Sequence, residues 1–274
     1  MGLSFKNPPL VELIAELRWA LPIPTQVTGV GVGAIPITTL SVTTLSANQY
    51  EEFFMRFGSK VAAAGFSRFE RIVPPGFPFM PYQPVYRYRY VSEDQGVKLY
   101  QLGPDIFSAN ITPPYQSWEH FKPVVAQGVE MLLESRSDEQ KIQPFSAASL
   151  RYIDAFKDDL TQGRSIRDFM ADVLDIKISL PEAVTRHALE LSRIEPLLQL
   201  AVPVSSAILN LTVANGAFNN ERAVIMDTTV STTQELKPTK EDIMSVFDNA
   251  HHLIHELFVG LTKPLEELMK PEDH

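Results

Sequence analysis

Tyr86-Arg87-Tyr88-Arg89-Tyr90 is the stretch whose residue types most plainly suggest recognition chemistry. On a β-strand, side chains alternate between faces, so the tyrosines share one face and the arginines the other. Two guanidinium groups in line can hold a carboxylate or phosphate through paired hydrogen bonds. A row of tyrosines, with Tyr88 at its centre, offers ring faces for stacking bases. The competing account is structural: tyrosines packed beneath a helix, arginines neutralised by nearby acids. Arg18 and Arg151 form a second pair of candidates, each between a leucine and a large aromatic, in Leu17-Arg18-Trp19 and Leu150-Arg151-Tyr152. A partly buried guanidinium needs an anion, and Asp154, Asp227 and Glu16 are the candidate mates.

Other side chains carry weaker signals. His251 and His255 are four apart on a predicted helix and share a face, a spacing that can hold a metal. The surrounding His-His-Leu-Ile-His-Glu lacks the His-Glu-x-x-His order of a zinc hydrolase, so neither a metal nor a cofactor is expected. Gly29-Val-Gly-Val-Gly33 has neither the spacing nor the Lys-Ser/Thr of a phosphate loop. No Gly-x-Ser-x-Gly elbow occurs, and no catalytic residue is assigned. Asp154, Asp158 and Asp159 read as ordinary acids at a strand end. Phe77, Phe79 and Tyr82 sit on a proline-stiffened loop, where exposed aromatics are costly unless they pack as a lid over the sheet or against a partner.

The elements that must position these residues are legible as periodicities. Leu10–Trp19 alternates as a half-buried strand. Residues 22–45 are rich in proline, glycine and threonine, with an edge strand expected over 37–44. Ser46-x-x-Gln49 begins a helix with an apolar stripe from Tyr50 to Ala64. Strands are expected at 66–74, 84–92 and 97–110, with a polar turn at Ser92–Gly96, and then a helix over 117–134. Glu134–Lys141 reads as a flexible, charged boundary. The second half predicts a strand over 143–156, a short helix over 165–174 and strands at 186–194, 198–213 and 222–234. A helix over 240–260 follows, then a fraying tail.

Laid side by side, residues 1–138 and 139–274 repeat one order: strand, helix, three antiparallel strands, long helix. The expected fold is α+β, a pseudo-duplicated pair of such units forming a curved antiparallel sheet covered by two long helices. The halves are expected to pack as one continuous globular unit.

Composition narrows the classes. The chain has 274 residues, a net charge of −9, 45% apolar residues and no cysteine. Disulfide frameworks and thiolate metal sites are excluded. No apolar run approaches the roughly 18 residues that span a bilayer, and the N-terminal stretch lacks a secretory pattern. A cytoplasmic, membrane-free protein is expected. The acidic excess lies mostly in the second half and disfavours a broad nucleic-acid surface.

The segments NPPLVELIAELRW, LGPDIFSANITPPYQSWEHF, SLRYIDAF, DTTVST and DNAHHLIHELFVGLT together resemble a sporadically distributed family of bacterial proteins of roughly this length. That family implies no activity, so no residue role comes from it. The leading expectation is a binding or interaction protein that uses a sheet face or cleft to engage a protein or a small acidic ligand. Arg18, Arg87, Arg89, Arg151 and Tyr88 are its candidate contacts, and a homo-oligomer is compatible with it. The alternatives are an enzyme with a dispersed cleft site, such as a hydrolase of a phosphorylated substrate, and a single-strand nucleic-acid binder. Convergence of the four arginines in one pocket is the observation that separates these.

Overall fold

A computed structural model describes residues 5–19, 47–92, 96–114, 117–188, 190 and 194–271. The edge strand expected over 37–44, the Ser46 cap and the Gly29–Gly33 stretch lie outside the described residues. The fold is α+β, built on one nine-stranded antiparallel sheet in the order β2-β3-β4-β5-β1-β6-β9-β8-β7. The strands are β1 Leu10–Arg18, β2 Arg68–Arg71, β3 Tyr86–Ser92, β4 Gly96–Gly103, β5 Ile106–Ile111, β6 Ala147–Phe156, β7 Leu198–Val204, β8 Ala207–Phe218 and β9 Glu221–Thr232.

β1 lies at the centre because its alternation buries Leu13, Ala15 and Leu17 on one face while both edges are paired. Its neighbours are β5 and β6. Strands from residues 1–138 and from 139–274 therefore meet in the β1–β6 ladder, where Glu16 stands opposite Ser149. Three long helices pack on the face carrying Leu13 and Leu17: α1 Ala47–Ala63, α2 Trp118–Ser135 and, further along the chain, α7 Lys240–Thr262. Tyr50, Phe53, Phe54, Phe57 and Val61 form the buried stripe of α1. The side chain of Thr239 caps α7 by accepting from the Asp242 N–H, which satisfies one of the free donors at a helix start.

Between these come short helices: α3 Asp138–Lys141, α4 Asp158–Thr161, α5 Ile166–Asp172 and α6 Glu182–Thr185, with α8 Glu266–Met269 near the end. Helices α4, α5 and α8 bury a smaller apolar cluster with Phe156, Val213 and Met226.

Several local expectations are corrected. The strand expected over 97–110 is two strands, folded back at Gly103-Pro104-Asp105, where Asp105 takes a left-handed φ of 65°. The strand expected over 198–213 likewise turns at Ser205-Ser206. In both cases apolar residues continue up to the turn, so periodicity alone runs through it. No strand forms over the described part of 186–194. The supposed flexible boundary at 134–141 is ordered instead. Arg136 there is only 1% exposed, and Ser137 and Gln140 form a reciprocal cap on α3. The C-terminal tail does not fray: Met269 is buried, and the Lys6 and Asn7 N–H groups donate to the carbonyls of Lys270 and Met269. No helix among the described residues is long and apolar enough to cross a membrane.

Candidate functional site

Strand alternation and register place Arg18, Arg87, Arg89 and Arg151 on one face of the sheet, the one opposite the helices. One cross-strand row runs Arg89–Leu99–Asn110–Ile14–Arg151. Three strands separate its end members, which at about 4.8 Å per strand spacing puts them roughly 19 Å apart. The four arginines therefore share a surface but not a pocket.

Each finds an acid close by. Arg18 Nε donates to Glu16 Oε1 at 2.7 Å, and the Arg18 guanidinium lies 5.2 Å from the centre of the Tyr82 ring. Arg151 grips Asp227 with two hydrogen bonds, Nε to Oδ1 at 2.8 Å and Nη2 to Oδ2 at 2.5 Å. The hydrogen bond that Arg151 donates to Asp227 is the main reason its pKa is raised, with Glu12 and Glu16 adding to it.

Arg87 and Arg89 do come together. Glu70 of β2 bridges them, Oε1 at 3.2 Å from Arg87 Nη1 and Oε2 at 3.4 Å from Arg89 Nη2. The register sets Arg68 opposite Arg89 and Glu70 opposite Arg87, so Arg68 projects to the same side. Ser67, Arg68, Phe69, Glu70, Arg87 and Arg89 line an open recess of about 490 Å³. The Nε atoms of Arg87 and Arg89 are out of solvent and have no acceptor. Two guanidinium groups thus share one carboxylate and a third, that of Arg68, lines the same recess, in a chain of net charge −9.

The tyrosines of the same string face the other way. Tyr88 is buried against Phe57 at a ring distance of 5.6 Å, and its hydroxyl points to the Phe54 carbonyl at 3.5 Å. As an expected ligand contact Tyr88 is corrected: α1 covers its ring, so neither base stacking nor the arginine face can use it. Burial also raises its pKa. The aromatic loop splits as well. Phe79 is buried against Phe54, whereas Phe77 is 65% exposed and Tyr82 takes a left-handed φ of 58° beneath Arg18.

His251 and His255 lie on α7 with ring centres 5.6 Å apart. Among the described residues, no group of three or more His, Asp or Glu side chains is placed to hold a metal. His251 is engaged structurally: its ring stacks on Trp118 at 5.1 Å, and its Nδ1 lies 2.6 Å from the Tyr152 hydroxyl. Burial, then His255 and His252, lower its pKa to about 4.

Three buried groups and one partly exposed one were missed or misjudged in the sequence reading. Asp105, 1% exposed, has no partner for either carboxylate oxygen, and burial raises its pKa to about 7. Asp154, expected as an arginine mate or an ordinary strand-end acid, is neither: it is buried, with its pKa raised to about 8 by burial and then by Asp227. Arg136 lies over the Phe145 ring at 4.7 Å, with only its Nη1 bonded, to the Gln143 carbonyl. Asp248 accepts from Trp118 Nε1 and Lys122 Nζ, both at 2.9 Å. The fifth omission, Arg68 and Glu70, had a usable signal: the i, i+2 spacing in Arg68-Phe69-Glu70 puts both on one strand face. What the spacing could not supply was the neighbouring strand.

No protein-family profile, curated protein or solved structure matches the chain.

Proposed function

We propose that this is a binding protein whose acidic ligand is taken at the β2–β3 corner of the sheet, against Arg68, Arg87 and Arg89. One observation carries the reading: Arg87 and Arg89 share the single carboxylate of Glu70 while Arg68 lines the same open recess, so three positive charges there meet one negative charge. Charge in such a recess attracts and orients an anion even when the whole chain is acidic. Arg18 and Arg151 are assigned to internal ion pairs, with Glu16 and Asp227 as mates.

The enzyme alternative needs a pocket shared by the four arginines, and their separation across the sheet gives it none. The nucleic-acid alternative needs stacking platforms, and Tyr86 and Tyr88 instead pack against Phe54 and Phe57 of α1 while Tyr90 packs against Phe66. Cytoplasmic residence and membership of the bacterial family that the sequence resembles go with this proposal.

So does a duplicated origin. The offset that matches Leu17-Arg18-Trp19 to Leu150-Arg151-Tyr152 also matches Glu16 to Ser149, the two residues that face each other in the β1–β6 ladder. A two-fold axis through that pair carries Arg18 onto Arg151, and β5, β4 and β3 onto β9, β8 and β7 in the observed strand order. Among the described residues β2 has no counterpart, so the arginine corner belongs to the first half alone.

The test is fluorescence anisotropy with a labelled Asp/Glu-rich peptide at low ionic strength. Saturable binding that salt weakens, and that Arg87→Ala with Arg89→Ala weakens about tenfold or more, is expected. Equal affinity in the wild type and the double variant would refute the reading.

A further inference from the structure

Among the described residues, β2 is the last strand on its side of the sheet. The Ile72 N–H donates to the Val85 carbonyl at 2.7 Å. With period two along the ladder, Glu70 and Arg68 turn their backbone groups toward β3. Phe69 and Arg71 therefore turn their N–H and C=O groups away from β3, to an edge that no described strand pairs. The Phe69 side chain stands on the helix side of the sheet yet is 71% exposed. The arginine recess lies on the other side of the same four residues. A short charged strand is one way to discourage edge-to-edge association. Here, however, charge of one sign prevails on one face while a bare phenylalanine occupies the other.

Resting on the binding reading above, we infer that the partner is an extended peptide segment with alternating acidic and apolar residues, added to the sheet as a further strand alongside β2. The addition bonds main chain to main chain at Phe69 and Arg71, the mode by which sheet edges take up peptides. Alternation then sorts the incoming side chains. Acidic ones fall over Arg68, Arg87 and Arg89, and apolar ones fall against Phe69. Charge complementarity chooses this occupant: Arg68, Arg87 and Arg89 outnumber Glu70 on the recess face, which favours an acidic strand over a second copy of β2 that itself carries Arg68 beside Glu70, and a free anion would leave Phe69 and the edge amides unused.

The experiment compares three labelled peptides of one composition on the full chain. The first alternates glutamate with valine and phenylalanine, the second scrambles that order, and the third keeps the order but N-methylates every second amide. Two N-methylation phases are made, since only one phase removes the amides facing β2. The alternating peptide is expected to bind about tenfold or more tightly than the scrambled one. One methylation phase is expected to abolish that advantage while the other leaves it intact. Phe69→Ala is expected to reduce the advantage without altering the salt dependence. Equal binding of alternating and scrambled peptides, both weakened by Arg87→Ala with Arg89→Ala, overturns strand addition and leaves acidic-ligand binding standing. Binding of none of the peptides overturns both. Loss of affinity in both methylation phases alike also overturns strand addition, since that outcome does not depend on which edge is offered.

Discussion

The Tyr152 hydroxyl meets His251 Nδ1 at 2.6 Å, tying central strand β6 to helix α7 beneath the Trp118 ring. Burial keeps the His251 ring neutral, so one hydrogen bond joins it to the tyrosine. The His251 pKa falls from an ordinary 6.5 to about 4 on folding. Between those values the unfolded chain holds a proton that the folded chain refuses, so this group's contribution to stability is lost as pH falls through that window. Melting temperatures measured from pH 7 to pH 4.5 are expected to fall less steeply in His251→Gln than in the wild type. Parallel curves would show that His251 is not a source of the slope.

Asp105 and Asp154 work with the opposite sign. Their pKa values rise on folding from 3.8 to about 7 and about 8. The folded chain then holds protons that the unfolded chain has lost, so stability declines as pH rises across the window and the deficit is complete above about pH 8. Asp105→Asn and Asp154→Asn should each raise the melting temperature by several degrees at pH 8 and by much less at pH 4. Asparagine also tolerates the left-handed backbone at position 105. A gain equal at both pH values would point to something other than ionisation.

Gly128, inside α2, is where the helix lies closest to the sheet. A Cβ there would stand 2.7 Å from Phe107 Cζ and 2.7 Å from Tyr100 Cε1. Both rings are buried and neither has room to retreat. Alanine gains about 1 kcal/mol in helix propensity, but overpacking of this kind costs roughly 1–3 kcal/mol. Gly128→Ala is expected to lower stability in urea denaturation, against the usual direction of the substitution in a helix. A stabilised variant would mean that α2 can shift outward.

The Arg151–Asp227 pair joins β6 to β9 on the open face with both carboxylate oxygens engaged. Since Arg151 is nearly half exposed, solvent screens the pair. A double-mutant cycle with Arg151→Ala and Asp227→Ala should return a coupling of about 1 kcal/mol or less, smaller at high salt. A coupling of several kcal/mol, insensitive to salt, would contradict that screening.

Local pattern alone determined much of this protein. Alternation from Leu10 to Arg18 marked a half-buried strand, and the apolar stripes marked α1, α2 and α7, because side-chain period follows directly from backbone geometry. The same rule split Tyr86–Tyr90 into a packed face and a charged face. It also brought Glu16 beside Arg18, since residues two apart on a strand are neighbours whatever surrounds them. The turns at Pro104-Asp105 and Ser205-Ser206 escaped because apolar residues run up to both sides of each. Strand order was invisible for a different reason: the edge of a strand carries the same N–H and C=O groups whichever strand it pairs with. Only the tertiary structure set β2 against β3, and with it Glu70 between Arg87 and Arg89. Only the tertiary structure brought Asp227 to Arg151, placed Tyr152 under His251, and set Phe69 on the edge strand of the described sheet, because each depends on which distant segment lies one strand spacing away.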